Sequence, residues 1–88
     1  MADLKVTRIT RRGGLNRHEA ITHLEGPLWK YTLQEALNFT SAGVHTFYFT
    51  ADNRRIDLGI FPGITRIYLR GYADGQWNDF LLDLPISE

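Results

Sequence analysis

The chain has 88 residues and no cysteine, and its ten Lys and Arg balance ten Asp and Glu. That length holds one domain, 1–88, which buries about 60–65% of its unfolded surface. The missing cysteines remove disulfide staples, thiolate nucleophiles and cysteine-ligated zinc, and point to a reducing, cytoplasmic home. With 43% hydrophobic residues and 11 aromatic rings (5 Phe, 4 Tyr, 2 Trp), the composition is that of a folded chain rather than a disordered one.

In chain order, the N-terminal MADLKVTRITRR lacks the apolar core of a signal peptide. No apolar run approaches the roughly 20 residues that span a bilayer, so no membrane partner is expected. LKVTRIT is rich in strand formers and predicts a first strand. RRGGLNRH reads as a loop, punctuated by Gly13, Gly14 and Asn16. HEAITHLEG predicts a second strand, which Gly26-Pro27 stops because proline has no N–H for a ladder.

Thr32-Leu33-Gln34-Glu35 has the spacing of a capping box, with Leu33, Ala36, Leu37 and Thr40 on one helical stripe and Gly43 as the left-handed C-terminal cap. A helix of about ten residues holds only by packing on something else. Three alternating segments follow. VHTFYFT sets His45, Phe47 and Phe49 against Val44, Thr46 and Tyr48, and the Phe pair is the expected core side. RRIDLGIF sets Ile56, Leu58 and Ile60 against Arg55 and Asp57. TRIYLRGY sets Ile67 and Leu69 against Arg66, Tyr68, Arg70 and Tyr72. Asp52-Asn53 and Pro62-Gly63 supply the turns between them. The expected fold is α+β: a mostly antiparallel sheet of about five strands with one short helix packed on it, in the order ββαβββ.

RHEAITHLEG, a Trp before a capped helix ending in SAG, then FYF, then YLRGYADGQWNDFLLDLP together resemble the domain-of-unknown-function family 3892. The resemblance covers about residues 4–85 and is most specific in its C-terminal part. It implies a small bacterial protein and no assigned activity. Two departures stand out: the family's paired glycines are Glu25 and Gly26 here, and its Asp-Asn-Leu is Asp79-Phe80-Leu81.

The candidate sites divide into turns and faces. Asp74-Gly75 is turn chemistry, and Asn78 and Asp79 are placed to cap the segment FLLDL, which would close over the core. Asp74, Asp79 and Asp83 do not have the spacing of a calcium loop, and His18 and His23, five apart, would face opposite sides of one strand, so no metal or other cofactor is expected. His23 and His45 are expected as hydrogen-bonded sheet residues. Ser41 and Ser87 sit in no nucleophile elbow, and RRGGLNRH lacks the G-K-[ST] of a phosphate loop. No catalytic residue is assigned.

The clearest surface signal is Arg66, Tyr68, Arg70 and Tyr72 on alternate positions, which Arg8, Arg54 or Arg55 would extend. Rings that stack on bases beside cations that track phosphate suit single-stranded nucleic acid, whereas cross-strand packing gives the same pattern with no ligand. The charge is also uneven, with Lys5, Arg8, Arg11, Arg12 and Arg17 near one end and Asp74, Asp79, Asp83 and Glu88 near the other. Neutralisation between adjoining ends accounts for this as well as a basic patch does. The expectation is therefore a non-catalytic module that binds another protein or a second copy of itself. A nucleic-acid binder is the alternative, and an enzyme built from His23, Glu19 and Asp74 or Asp79 is the remaining one.

Overall fold

A computed structural model describes residues 2–14, 17–63 and 66–86. Asn16, Thr65, Ser87 and Glu88, which entered the sequence reading, lie outside them. The fold is α+β, with strands β1 (Ala2–Lys5), β2 (Arg8–Arg11), β3 (Ile21–Gly26), β4 (Trp29–Thr32), β5 (His45–Ala51), β6 (Arg54–Pro62), β7 (Ile67–Ala73) and β8 (Gln76–Asn78), and helix α1 (Leu33–Ala42). Two sheets form: a mixed five-stranded one in the order β1-β5-β6-β7-β8, and a three-stranded one in the order β2-β3-β4. Short 3-10 turns occupy His18–Ala20 and Phe80–Asp83.

The segment read as one first strand is two. Lys5 is still paired with Tyr48 in the large sheet, parallel to β5, and Thr7 already donates to the Glu25 carbonyl in the small one. The chain changes sheet at Val6, whose side chain is buried and whose N–H reaches the Tyr48 carbonyl at 2.7 Å. Gly26-Pro27 ends β3 as the sequence suggested, and Pro27 and Leu28 lead at once into a strand that the sequence reading did not include. They form the two-residue turn of a hairpin in which Gly26 faces Trp29, so proline occupies the one place where its missing N–H is not needed.

Helix α1 begins at a complete capping box. The Thr32 hydroxyl accepts from the Glu35 N–H at 3.1 Å, and the Glu35 carboxylate accepts from the Thr32 N–H at 2.9 Å. It ends at Gly43 with φ 71°, a conformation that costs other residues about 1 kcal/mol. Leu33, Ala36 and Leu37 are buried, joining Ile9, Ile21 and Leu24 of the small sheet against the inner face of the large one. That inner face is built by period two from Phe47, Phe49, Ile56, Leu58 and Leu69. Leu81, fully buried, closes the core from the last 3-10 turn. The two chain ends adjoin: the Ile9 N–H donates to the Pro85 carbonyl at 3.1 Å, and Ile9 bridges Ile86.

Candidate functional site

The inner face of the five-stranded sheet is consumed by the core, so the chemistry available to a partner lies on its outer face. Register builds that face. Lys5 stands opposite Tyr48, Tyr48 opposite Asp57, Asp57 opposite Tyr72, and Tyr72 opposite Trp77, giving one row across all five strands. A second row beside it places Gly59 opposite Arg70, and a third Phe61 opposite Tyr68. Neighbouring strands lie about 4.8 Å apart, so side chains along a row are in contact range.

The rings form a continuous chain. Tyr72 and Trp77 meet edge to face at 5.0 Å, as do Trp77 and Phe61 at 5.0 Å, and Phe61 and Tyr68 lie tilted at 5.4 Å. Gly59 makes this possible. A methyl group at its Cα would lie 3.0 Å from Trp77 Cη2, so the indole rests on bare backbone. Tyr72 keeps 41% of its surface exposed and Trp77 38%, enough for either ring to be touched from solvent.

Arginines lie over these rings. The Arg70 guanidinium sits 4.8 Å from the Phe61 centroid and Arg55 4.2 Å from that of Tyr48. Each is tied by acids on the same face. Arg70 pairs with Asp79 at 3.0 Å and donates to the Asn78 carbonyl. Arg55 reaches Asp3 at 2.7 Å and Asp57 at 2.9 Å. The hydrogen bond from Arg55 holds the Asp3 carboxyl below its usual range, and the bonds to Asp3 and then Asp57 hold the Arg55 guanidinium above its own.

One end of the outer face is covered. His18 lies flat on Tyr68, with centroids 5.2 Å apart and planes within 10°, and both side chains are buried. His18 Nδ1 is 3.9 Å from the Asp79 oxygen that Arg70 holds, too far for a hydrogen bond. Its Nε2 is buried with no hydrogen-bond partner among the described residues. Burial lowers the His18 pKa, and the nearby Arg70 adds to this against Asp79 and Glu19, so the ring is neutral at physiological pH.

The residues singled out in the sequence thus take different places. Tyr68, Arg70 and Tyr72 share the outer face. Arg66 precedes β7 and donates to the Glu19 carbonyl. Arg55 joins the same face, Arg54 pairs with Asp74 at the turns, and Arg8 lies in the other sheet. Asp74 and Gly75 have φ of 55° and 78°, the backbone of a two-residue hairpin. Asn78 accepts from the Phe80 N–H at 3.2 Å, while the Asp79 carboxylate makes no cap bond and turns to Arg70 instead.

The acid–histidine group needed for an enzyme has separate partners: His23 meets Thr22 at 2.9 Å, Asp74 meets Arg54, and Asp79 meets Arg70. His45 differs from its expected hydrogen-bonded state. Its Nδ1 is buried without a partner among the described residues, and the ring is held by Phe39 at 4.8 Å and by Tyr31. No group of three or more His, Asp or Glu among the described residues is arranged to hold a metal.

Sequence reasoning missed Trp77, Phe61 and Tyr48 as members of the face, and His18 as its cover. Their signal lay in cross-strand register, which no local window carries. The segments that bear the resemblance, Arg17-His18-Glu19 and the stretch from Tyr68 to Asp79, meet at this cover. The model of the family described as Protein of unknown function (DUF3892) matches residues 5–85. No curated protein and no solved structure matches the chain. No helix among the described residues is long and apolar enough to cross a membrane.

Proposed function

The chain belongs to this family of unknown function, and from that premise we propose that it is a single-domain, non-catalytic protein-interaction module whose working surface is the outer face of the five-stranded sheet. The observation that carries the reading is the row Tyr48, Asp57, Tyr72 and Trp77, with two rings accessible and the charges around them internally matched. Tyr, Trp and Arg supply most of the binding energy at protein interfaces, usually inside a polar rim. Here Asp3, Lys5, Asp79 and Arg70 form that rim. A cysteine-free composition supports a cytoplasmic setting.

The exposed rings also suit single-stranded nucleic acid, which is the second reading. Charge separates the two. The outer face carries Lys5, Arg55 and Arg70 against Asp3, Asp57 and Asp79, so it presents no net field to a polyanion, and phosphate neutralisation supplies most of non-specific nucleic-acid affinity. A protein partner needs no such field.

The deciding comparison is affinity capture with the wild-type chain, with a Tyr72→Ala/Trp77→Ala variant, and with Leu28→Ala, at an exposed residue of the β3–β4 turn. A partner that binds wild type and Leu28→Ala but not the double variant supports the reading. Identical capture by all three overturns it. Light scattering over a concentration series separates a self-associating form from one that binds another protein. Amide shifts on adding a mixed-sequence oligonucleotide, weakening with salt, would favour the second reading.

A further inference from the structure

Within the outer face, Asp57, Leu58, Gly59, Tyr72 and Trp77 line one open groove. We propose that this groove is a subsite for an organic cation, the ammonium or guanidinium group of a basic side chain presented by the partner. The inference rests on the interaction reading above and names the chemistry of that partner.

The argument starts from register. Asp57 stands between two tyrosines, Tyr48 on one neighbouring strand and Tyr72 on the other, and Trp77 follows one strand further. A carboxylate with aromatic residues on either side attracts a cation by charge and, where a ring face is open, by the ring quadrupole as well. Gly59, two residues along β6 on the same face, carries no side chain, so the Trp77 indole lies down against the backbone and the groove stays open beside Asp57. Tyr72 and Trp77 stand at 69° to each other, and both line the groove as an aromatic corner.

Charge complementarity points the same way. Asp3 and Asp57 share the single guanidinium of Arg55, and the face balances only through Lys5, which stands two strands from Asp57. Arg55 bonds Asp57 through Oδ1. The Asp57 side chain is 63% exposed, so an incoming cation meets it without displacing packed structure. Arg55 over Tyr48 is the internal precedent: on this face the protein already seats a guanidinium on a tyrosine beside these carboxylates.

An NMR titration tests the site on the intact chain. The probes are choline, Nα-acetyl-lysine methylamide and Nα-acetyl-arginine methylamide, with 3,3-dimethylbutanol as the uncharged isostere of choline. The expected result is a concentration-dependent shift of the Trp77 indole N–H and the amides of Asp57 and Tyr72 at millimolar cation. The Trp29 indole, packed against Phe47, serves as the unmoved reference. Lysine or arginine probes binding more tightly than choline identify a basic side chain as the source; choline binding more tightly overturns that assignment in favour of a free quaternary ammonium.

Asp57→Asn should weaken binding by about tenfold, the size of one well-placed charged contact. Arg55→Gln should tighten it by freeing both Asp57 oxygens, a gain that unfolding cannot mimic. No shift with any cation, or equal shifts with the neutral isostere, overturns the subsite. If the cations fail to bind but the Tyr72→Ala/Trp77→Ala variant still loses its protein partner, the subsite falls and the interaction surface stands.

Discussion

Both faces of the five-stranded sheet carry aromatic rings and use them differently. On the inner face, Phe47 and Phe49 are at most 1% exposed, and each ring is enclosed by residues from the helix and the small sheet. On the outer face, Tyr72 and Trp77 are 41% and 38% exposed, and among the described residues His18 covers the Tyr68 end. Folding therefore accounts for the inner rings completely and for the outer ones only in part. The difference separates what the chain needs to fold from what it has left to offer.

The largest expected effect breaks the inner side. Phe47→Ala leaves a cavity in a close-packed core and should cost about 3–5 kcal/mol, seen as a fall in the urea midpoint. In an 88-residue domain of ordinary stability that is a large share of the total. Trp77→Ala on the outer side should cost only about 1 kcal/mol, the scale of the edge-to-face contacts it loses, while removing partner binding. Equal losses of stability at the two positions would mean that the outer ring is structural and would remove the distinction. Thr32→Ala, at the helix cap, should fall near the same scale, about 1 kcal/mol, with binding retained.

How much of this was legible depends on how local each signal is. The capping box was readable because Thr32 and Glu35 are three residues apart and their hydrogen bonds involve only the first turn. The Phe47–Phe49 and Ile56–Leu58 sides were readable because alternation is a property of one strand. The change of sheet at Val6 was not, since it is decided by Tyr48 and Glu25, each far away in the chain. Strand β8 has three residues, too few to show a period. Trp77 looked like part of a turn because its role comes from Tyr72 and Phe61 on other strands. Tyr68 looked like its neighbours Arg70 and Tyr72, and nothing in its own strand announces that His18 covers it.

That cover yields a smaller effect with a definite sign. His18 has its pKa lowered in the fold, chiefly by burial, so the unfolded chain takes up a proton at higher pH than the folded one does. Stability is then fully present above the unfolded value of about 6.5 and is lost as pH falls through it, until the folded ring also titrates. Thermal midpoints from pH 7.5 down to 5 should fall more steeply for wild type than for His18→Gln. Parallel curves would mean that the ring is solvated and that Tyr68 is not sealed beneath it.

The smallest effect on stability is expected where the charges are most conspicuous. Arg55 bonds two carboxylates, yet all three side chains remain largely in water, where screening removes most of the gain from pairing. Arg55→Gln should leave the denaturation midpoint unchanged within error at physiological salt. What it should change is the surface: Asp3 and Asp57 lose their shared counter-charge, and the Tyr48 ring loses the guanidinium over it. If the triad were there to hold β1 and β6 in place around β5, the substitution would lower stability and loosen the amides of Ala2–Lys5. If it instead sets the charge of the face, stability stays and cation affinity rises, which separates a structural ion pair from one that tunes recognition.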